Sequence, residues 1–160
     1  MSGSQNLAFK ILGIDHIGLA PKELGIAQNF LRDFLSLPFH GEEIVESQGT
    51  KTVFFGSSSK QDGSISSSDE SYSDACITQL ELLEATSPTS PIASFLAKKG
   101  SGIHHIALRV DKIVAALDHL KKEGVRLIDE SPRKGSHETL IAFIHPSATG
   151  GLLIELVEKS

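Results

Sequence analysis

The chain holds one cysteine, one methionine, one tyrosine and no tryptophan among its 160 residues. A single cysteine, Cys76, excludes an intrachain disulfide and fits a reducing compartment. No apolar run exceeds a few residues, which excludes a membrane-spanning helix. Residues 1–10 carry one basic side chain and no apolar stretch, so they do not read as a secretory signal. Positive charge is scarce as well. Fifteen Lys and Arg stand against twenty Asp and Glu, a net charge of −5, and no basic patch is dense enough for nucleic acid. The expected location is cytoplasmic, with the mitochondrial matrix expected only for a processed eukaryotic form.

What is present is ordinary in bulk and unusual in detail. At 39% hydrophobic and 22% charged, the chain matches one globular domain over 1–160. Histidine is the exception, with seven in all and two of them adjacent, His104 and His105. Residues 57–74 form a separate case. Half of these 18 are serine, and only Ile65 and Tyr72 are bulky apolar or aromatic. Such a segment cannot bury enough surface to offset its ordering entropy, and it reads as an exposed insert. Loop-closure entropy grows slowly with length, so a domain tolerates it.

With the insert set aside, the chain repeats itself. Asp15-His16-Ile17-Gly18-Leu19-Ala20 matches His104-His105-Ile106-Ala107-Leu108-Arg109, each read as a strand. A helical stripe follows each: Ala27, Phe30, Leu31 and Phe34 in the first, Ile113, Ala116, Leu117 and Leu120 in the second. Strand-rich stretches come next in both halves. Leu80-Glu81-Leu82-Leu83-Glu84 then mirrors Ile154-Glu155-Leu156-Val157-Glu158. His16 precedes Glu81 by 65 residues and His105 precedes Glu155 by 50, and the insert accounts for most of the difference. Module one covers about 11–85 and module two about 102–159. Between them Ser90-Pro91 opens a short helix through Lys99, with serine as N-cap and proline at the first turn.

Four polar residues interrupt apolar strands at equivalent places: His16, Glu81, His105 and Glu155. Taken singly, a strand histidine is ordinarily a hydrogen-bonded core residue and a strand glutamate a solvated one, as expected for Glu84 and Glu158. As a set related by a pseudo-twofold axis, two His–Glu pairs face each other across one cavity. Buried carboxylates need partners or a metal, and two imidazoles with two carboxylates suit a divalent ion: Co, Mn, Ni, Zn or Mg. His104 competes with His105, but strand neighbours point to opposite faces, so only one is expected inside. His105 is chosen, leaving His104 a packing or supporting role. His40, His119, His137 and His145 have no repeat counterpart. His119 is expected in solvent, and His137 and His145 near the site mouth.

Several segments carry a family resemblance. They are Ile14-Asp15-His16-Ile17-Gly18, Glu81-Leu82-Leu83-Glu84-Ala85, Ser90-Pro91-Ile92-Ala93-Ser94-Phe95-Leu96, Gly102-Ile103-His104-His105-Ile106-Ala107, Phe143-Ile144-His145-Pro146 and Thr149-Gly150-Gly151-Leu152-Leu153-Ile154-Glu155-Leu156. Together they resemble the vicinal oxygen chelate (glyoxalase/bleomycin-resistance-like) superfamily and, within it, the methylmalonyl-CoA epimerase family. The resemblance implies an α+β fold in which two βαβββ modules form a half-closed, U-shaped mixed sheet around a metal. It implies His16, Glu81, His105 and Glu155 as ligands, although some members have glutamine where Glu81 stands. It implies an isomerase that interconverts (2R)- and (2S)-methylmalonyl-CoA, acts on a CoA thioester, forms a homodimer and serves propionate metabolism.

The same resemblance implies two glutamate bases. One matches Glu155. The other position is Ser47 here, with Glu46 one residue earlier, so Glu46 is the candidate only if that loop shifts. Gln48 is placed to orient substrate. Arg133, Lys134 and Lys51 are candidates for the CoA phosphates. The alternatives are another metal-dependent enzyme of the superfamily, such as a lactoylglutathione lyase, or a non-catalytic small-molecule binding module.

Overall fold

The computed structural model describes residues 7–56 and 78–159. The serine-rich stretch 57–74 and Cys76 lie outside them. Eight strands and three helices are named among the described residues. They are β1 (Ile11–Ala20), α1 (Leu24–Asn29), β2 (Phe39–Val45), β3 (Thr50–Phe55), β4 (Gln79–Ala85), α2 (Pro91–Lys99), β5 (Gly102–Val110), α3 (Ile113–Lys122), β6 (Arg133–Lys134), β7 (Leu140–Ile144) and β8 (Ile154–Glu158). The strands form one mixed sheet in the order β2-β3-β4-β1-β5-β8-β7-β6. That order is symmetric about the antiparallel β1–β5 seam. Each side repeats the same pattern, with β1 parallel to β4 and β5 parallel to β8. This is the curled α+β sheet that the family resemblance implies. No described helix is long and apolar enough to cross a membrane.

Helices α1 and α3 cover the convex side of the sheet, whereas α2 packs Ile92 on Ala20 and Leu83 and borders the concave face. Ile113, Ala116 and Leu117 of α3 are buried against Val110, Ala142 and Leu156, as the spacing predicted. Burying such side chains contributes about 1.5–3 kcal/mol for each large one. Glu158, expected in solvent, is instead half-buried, and its Oε2 accepts the Ile113 N–H at 2.5 Å. It thereby caps α3 from β8, satisfying an amide that a helix start leaves without a partner. Ser90 caps α2 as predicted, its Oγ accepting the Ile92 N–H at 3.1 Å.

The first helical stripe departs from expectation. Leu24, Ala27 and Leu31 pack on Val53, Phe55 and Leu82. Phe30 and Phe34, however, are 52% and 78% exposed and stack on each other with centroids 6.0 Å apart. The helix widens into a π-type turn over Phe30–Phe34, where Leu35 N–H reaches back to the Phe30 carbonyl. Wider turns place residues fewer degrees apart, so the i, i+3, i+7 stripe no longer shares one face. His119 also differs: it is half-buried, its ring 5.8 Å from that of Phe9.

Candidate metal centre

The concave face of the sheet encloses a cavity of about 490 Å³ whose walls include His16, Glu81, His105 and Glu155. The register shows how they meet. His105 pairs with Gly18 across the seam and His16 with Ala107, so each histidine lies opposite a residue with little or no side chain. The need is concrete at Gly18, where an added Cβ would lie 2.2 Å from Cε1 of His105. Glu155 stands beside Ala107 on the parallel neighbour β8, and Glu81 beside Gly18 on β4.

Three donor atoms converge. His16 Nε2 lies 3.0 Å from His105 Nε2 and 3.1 Å from Glu155 Oε2, and His105 Nε2 lies 3.0 Å from the same oxygen. His16, His105 and Glu155 are all buried and could together hold a metal ion. Glu81 approaches from β4, its Oε2 at 3.5 Å from His16 Nε2. Two imidazole nitrogens and a carboxylate oxygen, with a second carboxylate adjoining, fit a divalent cation of the first transition row or magnesium.

Both members of each adjacent polar pair line this cavity, contrary to the expectation that only one of them would. The ladder between β1 and β5 slips by one residue at Ile14/His16, leaving Asp15 as an extra residue on β1. It slips again at Gly18/Leu19, leaving His104 extra on β5. A bulge breaks the alternation of side chains, and so Asp15 and His104 reach the walls of the cavity. Asp15 Oδ1 accepts a hydrogen bond from His16 Nδ1 at 3.0 Å, while its Oδ2 meets Lys159 Nζ at 2.6 Å. His104 Nδ1 lies 3.0 Å from His105 Nδ1, and its ring packs edge-on against Phe95. Each of the two candidate histidine ligands is therefore oriented from behind by its chain neighbour.

The electrostatics of the metal-free cluster follow from these contacts. Burial opposes a charge on His16, yet the hydrogen bonds to Asp15 and Glu155 and the nearby Glu81 outweigh it and raise its pKa to about 10. Burial likewise opposes ionisation of Glu155, but the two imidazoles hold it down to about 2. Asp15 is lowered against its own burial by His16 and Lys159. Glu81 is pushed up, first by burial, although His16 favours its charged form. Burial and then the neighbouring His105 hold His104 down to about 4.

The other predicted residues are dispersed. Gln48 and Arg133 line the central cavity and also an adjoining one of about 410 Å³. Glu46 and Ser47 sit on the short turn between β2 and β3, are exposed, and line only the adjoining cavity. Arg133 Nε bonds Asp129 at 3.2 Å, and its guanidinium lies 5.5 Å from the centroid of the Phe143 ring. Lys134 is exposed and paired with Glu138 at 2.8 Å. Lys51 is taken up by Glu42 at 3.0 Å. His145 accepts the Ser147 N–H in a local turn, whereas His137 lines the central cavity. Sequence reasoning passed over Asp15 as a site residue, although its pairing with His104 in the repeat was visible.

Known proteins resemble the chain along most of its length. Residues 15–143 match the glyoxalase/bleomycin resistance protein/dioxygenase superfamily. The uncharacterized protein YqjC of Bacillus subtilis is 38% identical over 145 residues, 91% of each chain. The mitochondrial methylmalonyl-CoA epimerase of Homo sapiens is 31% identical over 144 residues, 89% of this chain and 72% of its own. A methylmalonyl-CoA epimerase solved in complex with methylmalonyl-CoA and NH4+ superposes with a TM-score of 0.80 at 31% identity, covering 94% of this chain and 96% of that one. With its duplicated sheet and inward-facing histidines, the chain belongs to the glyoxalase/bleomycin resistance protein/dioxygenase superfamily.

Proposed function

We propose that the chain is a metal-dependent methylmalonyl-CoA epimerase. The observation that carries this reading is the Glu155 carboxylate, buried at the cavity wall with its Oε2 3.1 Å from His16 Nε2 and 3.0 Å from His105 Nε2. Relatives named as epimerases of this thioester, one of them solved with methylmalonyl-CoA, support the same reading. His16, Glu81, His105 and Glu155 are the proposed ligands, a set suited to Co, Mn, Ni, Zn or Mg.

The C2 proton of the substrate lies between a thioester carbonyl and a carboxylate. Its pKa stands many units above that of glutamate, and each unit costs about 1.4 kcal/mol. A divalent cation at these residues supplies positive charge for the oxygens on which negative charge builds. Glu155 takes the proton from one face of C2, and inversion requires its return on the other. Asp15 and His104 keep the two imidazoles oriented while this happens. Gln48 and Arg133, shared by both cavities, are placed to contact the anionic substrate, with Lys134 further out. Glu46, the loop carboxylate expected for the second face, lines only the adjoining cavity, so that role is left open by this reading. A homodimer belongs to the same proposal, supported by the exposed apolar Ile26, Phe30, Phe34 and Ile103.

Deuterium uptake at C2 tests the reading. Protein loaded with cobalt or manganese is expected to exchange the C2 proton of methylmalonyl-CoA with heavy water and to interconvert the epimers. No exchange, or turnover of a glutathione hemithioacetal in its place, sinks it.

A further inference from the structure

The central cavity contains one histidine that stands apart from the His16–His105 cluster. His137 lies in the turn 136–138 between β6 and β7 and lines the same cavity as Glu81 and Glu155. Its ring packs on Phe54, with centroids 4.4 Å apart. Phe54 is directly opposite Glu81 in the β3–β4 ladder, so the two share the concave face. The His137 backbone N–H donates to Glu43 Oε2 on β2 at 3.2 Å. A residue of the second half of the chain is thus fixed against β2 and β3 of the first half. Glu155 enters the cavity from β8, in the other half of the sheet.

The backbone here is unusual. His137 (φ 52, ψ 38) and Glu138 (φ 58) both adopt the left-handed conformation without being glycine. Side-chain-bearing residues are held there only where their surroundings over-determine them, and such places cluster at working sites. The other candidates for a proton carrier opposite Glu155 are less well placed. Glu46 and Ser47 face the adjoining cavity, Gln48 has no titratable proton, and Lys159 is engaged by Asp15.

We propose that His137 is the second proton carrier of the epimerase, acting on the face of C2 opposite Glu155. The proposal rests on the epimerase reading given above. In one direction Glu155 removes the C2 proton, and the C–H electron pair enters the enolate. The His137 imidazolium then gives its N–H proton to the other face, forming the new C–H bond and leaving neutral imidazole. In the other direction neutral His137 takes the proton and protonated Glu155 returns one. Exchange with water resets both groups, and nothing is oxidised or reduced.

The test separates exchange from inversion. His137→Asn is the first variant, because asparagine tolerates the left-handed backbone. His137→Gln is the second, and circular dichroism and metal content check that each is folded and loaded. Epimerisation is expected to fall about 100-fold or more. The epimer whose C2 proton faces Glu155 should still take up deuterium with retained configuration, within about tenfold of wild type. The other epimer should lose its exchange. Epimerisation within about threefold of wild type in a folded variant overturns the proposal. So does loss of exchange from both epimers, or this split pattern appearing in Glu46→Gln instead. Wild-type protein that neither exchanges nor epimerises overturns the epimerase reading itself, and His137 with it.

Discussion

The Asp15 carboxylate accepts a hydrogen bond from His16 Nδ1 at 3.0 Å, which leaves Nε2 to face Glu155 at 3.1 Å. The contact exists because a bulge turns two consecutive residues toward the same cavity. Asp15→Asn keeps the size and loses the charge, whereas Asp15→Leu loses both the charge and the acceptor. Cation affinity, measured by titration calorimetry, is expected to fall about 10- to 100-fold in the leucine variant and less in the asparagine variant. Equal affinities for all three proteins would show that Asp15 does not orient the ligand.

Gly18 and His105 offer a steric test. A methyl group at residue 18 would begin 2.2 Å from the imidazole, and both lie in paired backbone where neither strand yields freely. Gly18→Ala should displace the His105 ring, lower the melting temperature and abolish tight cation binding. A variant that melts and binds as wild type does would place the ring elsewhere.

The metal-free protein should show a defined pH window of stability. The folded pKa of His16 is raised to about 10, so its contribution is fully present below its unfolded value of 6.5 and is lost as pH rises toward 10. Glu155 is depressed to about 2, so its contribution is present above 4.5 and is lost as pH falls toward 2. Both contributions are complete between about pH 4.5 and 6.5, so denaturant midpoints of the metal-free protein should fall on either side of that window, while inside it the depressed His104 and the raised Glu81 act in opposite senses. The His16 proton must also leave before Nε2 can bind a cation. Calorimetry at neutral pH in buffers of differing ionisation enthalpy should therefore detect proton release on metal uptake. Uptake without proton release contradicts the protonated His16.

The two buried glutamates should differ under the same substitution. Glu155→Gln removes an ionised carboxylate contacted by both imidazoles, and C2 deuterium exchange should drop at least 1,000-fold, read by proton NMR (about 4 kcal/mol of barrier). Glu81 is already pushed toward its neutral form by burial, and it lies farther from the converging atoms. Glu81→Gln is therefore expected to keep cation affinity within about tenfold of wild type. A larger loss from Glu81→Gln than from Glu155→Gln would reverse the assignment.

The repeat makes much of this site legible in the sequence. Because Asp15-His16 and His104-His105 lead equivalent strands, and Glu81 and Glu155 sit in their parallel neighbours, symmetry alone brought all four together. What could not be read was local slippage. Strand alternation predicts opposite faces for His104 and His105, and Gly13 and Gly18 of β1 do not by themselves say which strand carries the extra residue. The π-type turn at Phe30–Phe34 was hidden for a similar reason, since the spacing of apolar residues assumes a regular helix. That Glu46 and Ser47 sit in a loop is legible in the sequence, but which of two adjoining cavities they border depends on how β2 and β3 curl.

The seam between β1 and β5 has a consequence for how the molecule assembles. His16 comes from one half of the chain, and His105 and Glu155 come from the other. Neither half holds all three donors by itself, however well it folds alone. Cation capture therefore acts as a clasp that closes only when the halves have docked in register. During refolding, metal uptake should trail the appearance of secondary structure and coincide with the joining of the two halves.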